Sequence, residues 1–264
     1  MKHIIAIMAG GLGKRMNSSL PKVLHNLNGK PMLCTLIETA YNVNPFAILI
    51  IVGKYMQIIK DTIEAHVPEN ILNIIQYVYQ SEALGTGHAV NCCIPVLLSF
   101  CEKDDRILIL SGDTPLVSES TMKSMLNSDK CLAMITNYDC NDISSYNKFK
   151  DYGKVTTNLT ENTIIKITEK KDCNENELKI NVVNCGIYCY SFDVLFNCIS
   201  KITNCNSQNE YYLTDIIQIA NNMNYKTHTF ELENNLQYEI IGVNTTDQLK
   251  ELELILNDKN LHLK

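Results

Sequence analysis

Apolar residues in the first 138 positions follow two alternating rhythms. Short unbroken runs rich in Ile, Leu and Val mark strands buried on both faces, while longer stretches between them repeat apolar positions at helical spacing. The runs predict strands over Ile4–Ala9, Phe46–Val52, Ile74–Tyr79, Arg106–Leu110 and Cys131–Asn137. The intervening stretches predict helices over Pro31–Tyr41, Gln57–Ala65 and Gly87–Phe100, and one starting near Ser120. Pro95 should bend or interrupt the third helix, because proline has no N–H and its ring clashes with the preceding turn. Alternation of this kind predicts an α/β fold with a mostly parallel sheet covered by helices.

After Tyr138 the pattern changes. Val155–Thr157, Ile164–Thr168 and Asn181–Tyr190 read as strands of a more antiparallel lobe joined by polar loops. Leu213–Asn222 reads as a helix, Tyr238–Val243 as a strand and Thr246–Leu256 as a closing helix. With no 20–50-residue repeat and no low-complexity linker, the reading is one domain over 1–264. It divides into an α/β half (1–138), a smaller mixed ligand-binding lobe (139–226) and a closing strand and helix (227–264).

Composition narrows the function classes. Hydrophobic residues make up 45% and charged residues 20% of the 264, an ordinary globular balance. A net charge of −6 argues against nucleic acid, whose phosphates call for excess Lys and Arg, but leaves room for a small anion. No apolar stretch approaches the ~20 residues of a membrane helix, and the apolar run after His3 is too short for a signal peptide. Eleven cysteines, an odd number without any C-x-x-C pair, point to free thiols in a reducing compartment. The expectation is a soluble, cytoplasmic protein bound neither to membrane nor to nucleic acid.

Candidate chemistry begins after the first strand, at Gly10-Gly11-Leu12-Gly13-Lys14-Arg15-Met16, followed by Leu20-Pro21-Lys22. Glycines let the backbone approach a ligand and point several N–H groups one way, which is how phosphates are cradled. Lys14, Arg15 and Lys22 add three cations. A Walker loop needs a Gly-Lys-Ser/Thr that is absent, and the dinucleotide fingerprint needs Gly where Met16 stands. By itself the segment reads equally as a Gly-rich turn with solvated basic side chains. Asp113 closes the Arg106–Leu110 strand through Ser111-Gly112, where open α/β sheets present ligands. A carboxylate there suits Mg²⁺, and a turn-capping Asp is the plainer alternative.

The whole string Gly10–Met16 with Leu20-Pro21-Lys22-Val23-Leu24 resembles the signature of the sugar-1-phosphate nucleotidyltransferases. In detail it is most similar to the uridylyltransferase domain of the bacterial bifunctional enzymes that make UDP-N-acetylglucosamine. The likeness continues in order through Gln80-Ser81-Glu82-Ala83-Leu84-Gly85-Thr86-Gly87-His88-Ala89 and Leu110-Ser111-Gly112-Asp113-Thr114-Pro115-Leu116. Tyr152-Gly153-Lys154-Val155, Glu169-Lys170-Lys171-Asp172 and Asn184-Cys185-Gly186-Ile187 follow. Asn209-Glu210-Tyr211-Tyr212-Leu213-Thr214-Asp215 and Gly242-Val243-Asn244 complete the series.

The resemblance implies a Rossmann-like, GT-A-like nucleotidyltransferase fold with helices on both faces of the sheet and a smaller sugar-binding lobe. It implies Mg²⁺-dependent joining of UTP to N-acetylglucosamine 1-phosphate with release of pyrophosphate. Arg15 and Lys22 are then the catalytic cations, and Asp113 and Asn244 the metal ligands. Ala9, Gly10, Gly11 and Gly13 hold the nucleotide's phosphates, while Gln80, Gly85 and Thr86 read the uracil. Gly153, Glu169, Asn184, Tyr212 and Thr214 hold the sugar. No general base is needed, because the attacking phosphate is already a nucleophile, and His88 is read as structural.

Three positions depart from the bacterial pattern. Cys185 replaces the usual Thr, Lys154 replaces Arg, and Gly10 stands where Ala is frequent. Cys185 borders the expected sugar site, which leaves glucose 1-phosphate, and dTTP as the nucleotide, as rival substrates. A non-catalytic nucleotide-sugar sensor is the rival of another class. The sequence carries no hexapeptide repeats, so acetyltransferase activity is not expected, and the assembly expected is a monomer or homodimer.

Overall fold

The apolar runs become the middle of one nine-stranded sheet. This computed structural model describes residues 1–11, 13–16 and 18–258. β1 (His3–Met8) is followed by a short hairpin of β2 (Asn26–Leu27) and β3 (Lys30–Pro31), then by β4 (Ala47–Val52), β5 (Ile75–Tyr79) and β6 (Arg106–Ser111). β1 lies between β4 and β6, parallel to both, and β5 runs parallel on the outer side of β4. All six residues of β4 are buried, as a strand covered on both faces requires.

Beyond β6 the sheet is mixed. The remaining strands are β7 (Cys131–Asn137), β8 (Lys154–Asn158), β9 (Thr163–Thr168), β10 (Val182–Ser191) and β11 (Thr227–Glu231). Across the sheet they run in the order β5-β4-β1-β6-β10-β7-β11-β9-β8. β10 is antiparallel to β6 and to β7 and separates them, which its run of buried residues from Ile187 to Tyr190 allows. Its register against β7 shifts between Asn184 and Tyr188, where Gly186 takes a φ of 72°. Such an irregularity re-aims nearby side chains.

Successive residues of a strand point to opposite faces, and here each face has its own helices. Ile5, Ile7, Ile48, Ile50 and Leu108 face α1 (Met32–Tyr41), α2 (Met56–His66) and α6 (Glu119–Leu126). Ile4, Ala6, Leu49, Ile51 and Ile107 face α4 (Thr86–Asn91), α5 (Ile94–Leu97), α8 (Phe192–Ile199) and α9 (Asp215–Asn222). The short α3 (Glu69–Leu72), α7 (Ile143–Phe149) and α10 (Thr246–Asp258) complete the set. α10 buries Leu252 and Leu256 with Leu27, Met32 and Val243, tying the hairpin to the segment that carries Asn244.

Three elements differ from the sequence expectation. The helix over Gly87–Phe100 divides into α4 and α5, and Pro95 sits in the first turn of α5, where a missing N–H costs nothing. The strand expected at Tyr238–Val243 is instead a 3-10 helix over Asn234–Ile240 with an irregular end. Its apolar residues pack on the core without joining a ladder, and buried Glu239 accepts a hydrogen bond from Ser118 N (3.0 Å). β11, which the pattern did not predict, pairs parallel to β7. All eleven cysteines are free, and burial pushes the Cys34 thiol up to about 12. Among the described residues no helix is long and apolar enough to cross a membrane.

Candidate active site

The parallel strands β5, β4, β1 and β6 end side by side, and their carboxyl ends form the rim where α/β sheets bind ligands. Ala9 N donates to Ile51 O (2.8 Å) and Gly112 N to Met8 O (2.9 Å), so the loops leaving β1 and β6 start in contact with neighbouring strands. A cleft of about 300 Å³ opens there, lined among others by Gly10, Gly11, Lys22, Gln80, Thr86 and Asp113.

The glycine loop is shaped by Lys22. Gly13 adopts a φ of 73°, and a Cβ on it would stand 2.6 Å from Lys22 Cβ. Only glycine lets the backbone cross the lysine there. At Gly10 a Cβ would stand 3.3 Å from Gly53 N and 3.7 Å from Gln80 Oε1, so the absent side chain keeps the cleft floor open. Leu12 and the Lys14 side chain, both within the expected phosphate loop, lie outside the described residues.

Five polar side chains meet at the other wall. Lys22 Nζ is paired with Asp113 Oδ2 and donates to Asn244 Oδ1 (2.9 Å), which also accepts from Arg15 Nη2 (3.1 Å). Ser111 Oγ donates to Asp113 Oδ1 (2.6 Å) and fixes the carboxylate plane. Val243 N donates to Asp113 O (2.9 Å), and this backbone bond brings Asn244 beside Asp113 from 131 residues away. A carboxylate and an amide oxygen facing one cationic group are the hard donors Mg²⁺ takes while keeping waters and phosphate oxygens for its other positions. Among the described residues no cluster of three or more His, Cys, Asp or Glu side chains offers a fuller metal cage.

The third wall is the loop after β5. Gln80 N donates to Val52 O (2.8 Å), which places its side chain at the cleft, where its Nε2 donates to Gly85 O (3.2 Å). Gly85 has a φ of 110°, and a Cβ on it would meet Tyr211 O at 2.6 Å. The loop is clipped to residues 211–213 by Tyr211 N to Leu84 O (2.8 Å), Gly87 N to Tyr211 O (2.7 Å) and Leu213 N to Thr86 Oγ1 (3.1 Å).

Gly153, Glu169, Asn184 and Thr214 form a second cluster. Thr214 Oγ1 donates to Glu169 Oε1 (3.1 Å), a Cβ at Gly153 would stand 3.4 Å from Glu169 Oε2, and Asn184 N donates to Gly153 O (2.9 Å). Asn184 Nδ2 donates to Tyr188 Oη (2.7 Å). Burial raises the Glu169 pKa, the Thr214 hydrogen bond opposes the shift, and the nearby carboxylates Asp215, Asp172 and Glu210 add to it. The Tyr212 hydroxyl accepts instead from Gln208 Nε2 (2.8 Å). The lining of the 300 Å³ cleft reaches Glu210 but not Glu169 or Asn184.

Two of the departures from the family pattern fall in packing. Cys185 is buried in the core. Lys154 is buried too, with Nζ donating to Tyr138 Oη (2.8 Å) and lying over that ring, and burial lowers its pKa. Sequence reading missed Ser111 and Tyr152. The Tyr152 hydroxyl accepts from Gly242 N (3.2 Å) and donates to Ile240 O (3.3 Å), clamping the approach to Asn244. Tyr152 stands within a family motif, but only its neighbour Gly153 took a role there. Its long-range partners are visible only in the fold.

Comparison with known proteins places the chain in a family. Residues 5–143 match the MobA-like NTP transferase domain. The chain is 39% identical over 259 residues to a probable UDP-N-acetylglucosamine pyrophosphorylase of Acanthamoeba polyphaga mimivirus, covering 96% of each chain. It is 38% identical over 260 residues to the bifunctional protein GlmU of Clostridium botulinum, covering 96% of this chain but 52% of that one. This chain thus spans about half the length of the clostridial relative. A solved UDP-glucose pyrophosphorylase in complex with UDP-glucose shares the fold at a TM-score of 0.73 and 16% identity, over 98% of this chain and 100% of that one.

Proposed function

The chain belongs to the MobA-like NTP transferase family, among its sugar-1-phosphate nucleotidyltransferases, and on that footing we propose that it makes UDP-N-acetylglucosamine and pyrophosphate from UTP and N-acetylglucosamine 1-phosphate. The observation that carries the reading is the cluster at the carboxyl end of β6, where Lys22 pairs with Asp113 and both Lys22 and Arg15 donate to Asn244.

A phosphate oxygen of the sugar phosphate attacks the α-phosphorus of UTP in line. The bond from that phosphorus to the α,β-bridging oxygen breaks, and pyrophosphate departs with the electron pair. No proton need be removed from the nucleophile. The N–H groups around Gly10, Gly11 and Gly13 cradle the triphosphate. Lys22 and Arg15 meet the negative charge that gathers as pyrophosphate leaves, the electrostatic work that dominates phosphoryl-type transfer. Asp113 and Asn244 would hold Mg²⁺, which supplies charge neutralisation to the triphosphate oxygens.

Gln80, with Gly85 and Thr86, reads the uracil from the third wall. The Glu169 cluster receives the sugar, its carboxylate accepting from hydroxyl groups and the Asn184 amide facing the acetamido group or ribose. The enzyme works as a monomer or homodimer in the cytoplasm. Phosphorus NMR of the reaction mixture tests the proposal. The monoester signal should give way to the paired signals of a sugar diphosphate together with pyrophosphate. Consumption of UTP to UDP and free phosphate instead would reject it.

A further inference from the structure

The sequence alone presents His88 as a helix-starting structural residue, yet its ring touches the group that reads the base. We propose that His88 is a positioning residue that fixes the Gln80 amide and so sets the preference for a uracil base over a cytosine base; the inference rests on the reading that Gln80 contacts the base.

Donors and acceptors decide the orientation of the amide. Gly85 O can only accept, so the Gln80 atom 3.2 Å from it must be the amide nitrogen. That nitrogen also lies 3.1 Å from His88 Nδ1. An amide NH₂ only donates, so Nδ1 must carry a lone pair and the imidazole proton must sit on Nε2. Both amide hydrogens are then engaged. Turning the amide over would set Oε1 against a carbonyl oxygen and an imidazole lone pair together.

Oε1 is therefore held on the other side, toward Gly10, where a Cβ would stand 3.7 Å from it. Among the described residues it accepts no hydrogen bond, which leaves it for a ligand in the cleft. An oxygen there asks for an N–H. Uracil presents one at N3, whereas cytosine, of the same size, presents a lone pair. Gly85 O alone would still favour the correct orientation, and His88 adds the second hydrogen bond that locks it. The ring is placed for this by its position at the start of α4 and by its tilted contact with Tyr211, 6.2 Å between centroids.

The test is the ratio of kcat/KM for UTP over CTP. His88→Phe keeps a ring beside Tyr211 and removes Nδ1, and should lower the ratio about fivefold to tenfold, the worth of one neutral hydrogen bond. His88→Asn, whose amide oxygen replaces Nδ1 as acceptor, should restore most of it. Gln80→Ala should lower the ratio further, and adding His88→Phe to it should change nothing. A ratio untouched by His88→Phe but lost in Gln80→Ala would overturn the proposal and leave the base reading standing, as would equal loss of both substrates in the Phe and Asn variants. A ratio retained in Gln80→Ala would remove the base reading itself, and this proposal with it. Nitrogen NMR of the wild-type protein at mildly alkaline pH is independent of any variant's folding. It should find His88 Nδ1 bare and Nε2 protonated, and a protonated Nδ1 would overturn the proposal.

Discussion

Replacing Tyr152 by Phe removes one oxygen atom and two hydrogen bonds, to Gly242 N (3.2 Å) and Ile240 O (3.3 Å). Both backbone groups belong to buried residues, so water cannot readily take the place of the hydroxyl. At about 1 kcal/mol for each neutral hydrogen bond the local loss is about 2 kcal/mol. It falls on the segment that delivers Asn244 to Asp113, through the Val243 N to Asp113 O bond (2.9 Å). If about half of the loss is felt where Mg²⁺ would sit, half-saturation by Mg²⁺ moves up about fivefold. The assay is pyrophosphate release against Mg²⁺ concentration at saturating substrates, with a melting curve beside it. A lower Tm with an unchanged Mg²⁺ requirement would refute the reasoning and reduce Tyr152 to ordinary packing.

Gly13→Ala forces a Cβ to within 2.6 Å of Lys22 Cβ at a φ of 73°. The strain alone costs about 1–2 kcal/mol, and the displaced lysine should lower kcat about a hundredfold or more, as loss of one charge-stabilising group does; near-normal kcat would show that the loop does not need this crossing. Glu169→Gln tests the buried carboxylate. Burial raises the folded-state pKa of Glu169 above its unfolded value, so its contribution to stability is fully present below the unfolded pKa and is lost as pH rises through the folded one. The variant should therefore gain Tm near neutral pH relative to acid pH while KM for the sugar phosphate rises, and a Tm difference constant across pH would contradict the assignment.

The rim at the carboxyl ends of β1 and β6 was legible because unbroken apolar runs announce strands, and the residues just past a strand's carboxyl end line a cleft. Gly10, Gly11 and Asp113 are such cases. The place of β10 was hidden, since its pairing with β6 and β7 depends on contacts about 50 to 80 residues apart in sequence. β11 reads as Thr-His-Thr-Phe-Glu, a mostly polar string that joins the sheet through its parallel pairing with β7 rather than through an apolar face of its own. At Tyr238–Val243 the apolar spacing was real, but packing onto α10 and the core satisfied it, and no partner strand stood there. Ser111, Tyr152 and His88 each sat inside a recognised motif. Their significance lies in which atom donates to which, and only the folded chain displays that.

The most direct measurement is pyrophosphate release with Mg²⁺, offering UTP or dTTP with N-acetylglucosamine 1-phosphate or glucose 1-phosphate, for the wild-type chain and for Asp113→Ala. The account predicts release chiefly from UTP with the N-acetylated sugar, and its near-complete loss in the variant. Release from none of the four pairs, or equal turnover in the variant, would contradict it.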